Sequence, residues 1–144
     1  MAGDARPFSE AYLSEVVATQ GKFFESLQDD YPTSDAADLM EAYLRSSTRR
    51  QLDEGHAYYL TLDAVRLRDL FLEESGYVPR PGRPLCGFLP NWLGRFYAYS
   101  QWHWNVSSAL LVERLPVADL AALYPGAHDL DLALAVQKIG APLF

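Results

Sequence analysis

A chain of 144 residues is the size of one independently folding domain, and 49% apolar with 13% aromatic residues supplies a core and excludes global disorder. Nineteen acidic against twelve basic side chains give a net charge of -7, which repels polyanions and disfavours direct nucleic-acid binding. Cys86 is the single cysteine, so an internal disulfide and a multi-thiolate zinc site are both excluded.

Met1 to Phe8 shows neither a basic leader nor a long apolar run. No later stretch reaches the ~18 apolar residues of a membrane span, so a cytoplasmic protein without membrane contact is expected. Phe8, Tyr12, Val16, Phe23, Phe24 and Leu27 recur at helical spacing and predict a first helix, blurred near Gly21. A second helix opens after Ser34 or Asp35, with Asp38 in its first turn and Leu39, Tyr43 and Leu52 on one side. Tyr58, Tyr59 and Leu60 read as a single extended turn, after which a third helix starts near Thr61 and presents Val65, Leu70 and Phe71.

Gly76 to Pro90, GYVPRPGRPLCGFLP, breaks the helical pattern with repeated proline and glycine and predicts an ordered surface connection. Asn91 is expected to N-cap the next helix, on which Trp92, Phe96, Tyr99 and His103 form one stripe. Gly94, Ala98, Gln101 and Asn105 fall on the opposite side, so this helix is expected at the centre of the fold. Ser107 or Ser108 caps a short helix through Leu111, and Pro116 opens another that ends near Leu123. Tyr124-Pro125-Gly126 reads as a turn, and Asp129 as the cap of a last helix with Leu132, Val136 and Ile139 buried and Gly140 at its end. Strands are scarcely signalled, at most one short pair around Tyr58 or Val78. These elements predict a mainly α, compact single-domain helical bundle of about five to seven helices over residues 1–144, with a Pro/Gly-rich central connection.

His56, His103 and His128 lack the spacing of a zinc motif, and the glycines build no phosphate loop, so neither a metal nor a cofactor is expected. Cys86 with His103 or His128 forms a nominal nucleophilic pair, but its neighbours are turn residues and an ordinary cysteine is the simpler reading. Glu73 with Glu74, and Asp129 with Asp131, are carboxylate pairs that capping and solvated faces explain. Arg45, Arg49 and Arg50, followed by Asp53 and Glu54, read as a solvated helical face. The constellation that remains is Arg95, Tyr99, Trp102 and His103 beside Trp92. Arg95 can stack on aromatic rings or bind a carboxylate while Tyr99 and His103 supply hydrogen bonds, which suits a small anionic ligand or a partner. A core whose polar atoms bond to Glu113 or Asp119 explains the same residues structurally.

Two segments carry a resemblance: Glu41-Ala42-Tyr43-Leu44-Arg45-Ser46 continuing through Thr48 to Leu52, and Trp92-Leu93-Gly94-Arg95-Phe96-Tyr97-Ala98-Tyr99. Ser107-Ser108 and Tyr124-Pro125-Gly126-Ala127-His128-Asp129-Leu130-Asp131 follow downstream. Through them the chain resembles a family of small, functionally uncharacterised bacterial proteins encoded beside toxin-like genes, including ones of ADP-ribosyltransferase type. Arg95 departs from that family, which has a bulky aromatic there, as does the stretch near Asn105 to Val106, where the family has a hydroxyl or acidic residue. The resemblance implies an antitoxin or accessory protein that binds and neutralises a cognate toxin from a neighbouring gene, and it transfers no catalytic residue. The alternative is a small enzyme or nucleotide- or anionic-ligand-binding domain that uses the Arg95-Tyr99-His103 face.

Overall fold

The computed structural model describes residues 6–144. A 3-10 turn, Glu10–Tyr12, leads into α1 (Leu13–Asp30), α2 (Ala36–Leu44), α3 (Ser47–Asp53), α4 (Ala57–Leu60), α5 (Ala64–Ser75), α6 (Leu89–Trp104), α7 (Ser108–Arg114), α8 (Val117–Ala127) and α9 (Leu132–Gly140). Among the described residues there is no strand, only an isolated bridge between Ser34 and Pro81. No helix among them is long and apolar enough to cross a membrane.

The mainly α single-domain architecture stands, but nine helices among the described residues replace the five to seven expected. One cause is a break at Ser46. Its backbone is extended and its Oγ accepts from the Arg49 N–H at 3.1 Å, so it N-caps a new helix where periodicity runs on toward Leu52. The other is Tyr58-Tyr59-Leu60, expected as an extended turn, which closes the single turn of α4, too short for any period to register.

Three boundaries also move. Asn91 is not the cap of α6, which begins at Leu89 with Pro90 in its first turn, where the missing N–H has no intrahelical role. Tyr124-Pro125-Gly126 is not a turn but the end of α8, where proline disturbs only the final bonds. Asp131 rather than Asp129 stands at the start of α9, and it makes no side-chain cap bond.

Helix α6 is buried on most of its circumference, and its main contact is with α1. A Cβ on Gly94 would strike the Gln20 carbonyl oxygen, and one on Gly21 would lie 2.7 Å from Arg95 Cγ. The two backbones therefore cross at their closest on glycine, which is why α1 runs straight through Gly21. Around this crossing Phe23, Phe24, Tyr43, Phe71, Phe96 and Tyr97 are sealed from solvent. Tyr43 packs 4.2 Å from the Phe23 ring centre and edge-on to Phe71 at 5.4 Å, and each such aromatic pair adds about 0.5–1.5 kcal/mol beyond area burial. A smaller cluster, Leu13, Val17, Ala98 and Trp102, lies on the other flank of α6.

The Pro/Gly-rich connection is strapped to the α1–α2 corner. Asp35 N–H donates to Arg80 O at 2.7 Å, Ala36 N–H to Arg83 O at 3.1 Å and Gly82 N–H to Thr33 O at 3.2 Å. Gln28 Oε1 accepts from the Leu85 N–H at 2.8 Å, and the Tyr77 hydroxyl bonds Asp38. These bonds fix where the chain re-enters the bundle, and hence the position of α6.

Candidate functional site

The stripe on α6 changes character along its length. Trp92 and Phe96 are core, and the Trp92 ring packs 5.2 Å from Phe96 and 5.3 Å from Tyr124. Tyr99 and His103 are half-buried. The structure brings Tyr99, Trp102 and His103 together around one shallow hollow with Arg6, Phe8 and Glu10. Arg95 lies one turn earlier, in an adjoining hollow of about 370 Å³ that shares Tyr99 and Glu10 and adds Leu13, Leu132 and Asp131. Tyr99 thus joins two half-sites, and the four expected residues do not converge on one point.

Trp102 anchors the N-terminal segment. Its indole N–H donates to Phe8 O at 2.9 Å, and the Arg6 guanidinium sits 4.4 Å above its ring. Arg6 Nε and Nη2 donate to the Trp102 and His103 carbonyls at 2.9 and 3.1 Å, satisfying acceptors that the last turn of a helix leaves without partners. None of the four residues bonds to Glu113 or Asp119 as the structural explanation expected, and the Trp102 indole finds its partner in the segment before α1 instead.

Burial, and then the nearby Arg6 charge, lower the His103 pKa from its ordinary 6.5, so the ring is neutral at pH 7. The unfolded chain therefore takes up this proton first on acidification. The stability linked to His103 is present above the unfolded value of 6.5 and is lost as pH falls from there through the lower folded value. In urea unfolding across roughly pH 7 to 5, His103→Asn is expected to lose stability less steeply than wild type; identical slopes would contradict this. Burial also raises the Tyr99 pKa, with Glu10 and Asp131 adding to the effect, so its hydroxyl stays protonated.

Arg95 makes no hydrogen bond or ion pair among the described residues, and its Nε is sealed from solvent without an acceptor. Gly21 opposite leaves room for its stem, so the guanidinium is held against α1 by packing alone.

A second polar centre was hidden in the sequence. Arg45 and Arg50 are exposed, as a solvated face requires, but Arg49 is 2% exposed. Its Nε donates to Asp53 at 3.0 Å and Ser108 Oγ at 2.8 Å, and its Nη1 to Gln20 Oε1 at 2.6 Å, which also accepts from the Tyr43 hydroxyl at 2.9 Å. Ser108 closes the cluster by donating its N–H and Oγ–H to Asp53, both at 2.7 Å. Burial works against the Arg49 charge, yet Asp53 and Tyr43 hold its pKa above the ordinary value. The Arg49/Asp53 spacing of four is the one signal that betrays it.

Cys86 is exposed on the connection. Glu74 ties α5 to its neighbours, accepting from Thr48 at 2.6 Å and Tyr59 at 2.9 Å. Among the described residues no three His, Cys, Asp or Glu side chains gather to hold a metal ion. On the opposite side of α1 from the Arg95 hollow's α9 wall lies a larger hollow, about 690 Å³, lined by Phe8, Tyr12, Val16, Leu60 and Leu62 with Glu15 and Asp63 at its edge. Tyr12 on its lining is 60% exposed, and Tyr58, equally exposed, lines a separate hollow with Leu62, Arg66 and Leu70. Compared with known proteins, the chain matches no family model, no curated protein and no solved structure.

Proposed function

We propose that the protein is an antitoxin-like interaction protein that binds and neutralises a cognate toxin encoded by a neighbouring gene. The observation that supports this most is the apolar hollow between α1 and α4, on whose lining Tyr12 stands open to solvent. Large apolar surface left exposed around a concavity costs solubility and marks places where partners bind. Tyrosine is an efficient anchor there, since it buries a rigid ring while its hydroxyl keeps a polar contact. Glu15 and Asp63 are the charged residues that line the hollow, and the net charge is -7, so a partner with a basic surface is steered toward it.

Co-expression with the neighbouring gene product is expected to give a stable complex and to restore growth. Tyr12→Ala, at an exposed position on the lining of the hollow, is expected to weaken that complex by about 2 kcal/mol while leaving urea unfolding unchanged. A neighbour that neither co-purifies nor impairs growth would overturn the reading.

A second reading takes the Arg95 side of α6 as a small-ligand face. The guanidinium without a partner among the described residues favours it, because an arginine held by packing at the wall of a hollow offers its donors to something that enters.

A further inference from the structure

The hollow around Arg95 carries both signs of charge at close quarters. Arg95 supplies a planar cation from α6, Glu10 an anion from the 3-10 turn and Asp131 another from the start of α9. Leu13 and Leu132 supply apolar walls. Glu10 and Asp131 line the same hollow as Tyr99. Asp131 makes no cap bond to its own helix, so its oxygens are not committed to the fold.

This arrangement disfavours a ligand of one charge. A simple anion drawn to Arg95 is repelled by two carboxylates, and a simple cation drawn to them meets the guanidinium. A molecule with both charges a few bonds apart satisfies every group. We propose that this hollow binds a small zwitterion, an α-amino acid with an aliphatic side chain. Its carboxylate pairs with Arg95, its ammonium lies between Glu10 and Asp131, and its side chain rests on Leu13 and Leu132.

The proposal rests on the small-ligand reading of the Arg95 face and changes the ligand class from anion to zwitterion. The forked donors of a guanidinium match the two oxygens of a carboxylate. An ammonium has three donors to distribute, which suits two carboxylates and the Tyr99 oxygen. The volume of about 370 Å³ lies at the small end of ligand sites, as a single amino acid requires.

The test titrates the full chain with L-leucine, with 4-methylpentanoate, which lacks the ammonium, with 3-methylbutylamine, which lacks the carboxylate, and with inorganic phosphate. Binding is followed by calorimetry and by the tyrosine and tryptophan signals in NMR. Leucine is expected to bind at least about tenfold more tightly than either single-charge analogue. Arg95→Gln is expected to weaken leucine by about tenfold and to bind the amine more tightly than wild type does, while Asp131→Asn weakens leucine and the amine and binds 4-methylpentanoate at least as tightly as wild type. Urea unfolding checks that both variants fold, and the analogue series on wild type decides the matter if either does not. Leucine no tighter than 4-methylpentanoate or phosphate, with Arg95-dependent binding of those anions, overturns the zwitterion and leaves the small-ligand reading standing. Absence of Arg95-dependent binding by all four probes overturns both.

Discussion

Arg49→Leu is expected to destabilise the fold by about 3–5 kcal/mol, because it leaves the Asp53 carboxylate buried without its counter-charge. The loss is out of proportion to the net worth of the ion pair. Asp53 keeps the two bonds from Ser108, but Gln20 Oε1 loses its shortest partner and the space near Tyr43 opens. Asp53→Leu alone should cost a similar amount by stranding the cation. The double replacement should recover most of the loss, since an apolar pair of similar volume needs no solvation. Urea unfolding of the three variants measures this as a double-mutant cycle. Additive single effects would show that Arg49 and Asp53 do not act as a unit. With a total stability of about 5–15 kcal/mol for a domain, Arg49→Leu brings the protein close to its folding threshold at 37 °C.

Trp92→Ala is expected to cost about 3–5 kcal/mol as well, through a cavity rather than a charge. Trp92 is 5% exposed and joins the first turns of α6 to Phe96 and to Tyr124 of α8, so its removal loosens the point where the Pro/Gly-rich connection enters the bundle. Arg95→Ala, one turn on and without a polar partner, should stay within about 1 kcal/mol of wild type. Urea midpoints compare the two variants directly. An Arg95→Ala protein that unfolds as readily as Trp92→Ala would make Arg95 structural and remove the basis for a ligand at that face. A stable Trp92→Ala protein that no longer binds the neighbouring gene product would place the aromatic stripe in an interface instead of the core.

The sequence by itself determined the fold class and the central helix. The Trp92, Phe96, Tyr99, His103 stripe and the small face at Gly94 and Ala98 repeat with a helical period over most of the sixteen residues of α6, and a period that long leaves little choice of secondary structure or of burial. It also located the proline-rich connection, since proline and glycine act on the backbone locally. Helix number was less legible, because Ser46 ends one helix and caps the next through a single side-chain bond, and α4 is one turn long. The candidate site was legible only as a set of residue types on one helix. That Arg6 would cover Trp102, that Asp131 would face Arg95 across a hollow, and that Arg49 would be buried with Ser108 were decided by contacts between segments distant in the chain. Local pattern reports which face of a helix is apolar. It does not report which partner a polar side chain meets, since that partner is fixed by how the helices pack around Gly94 and Gly21 and not by the neighbours in sequence.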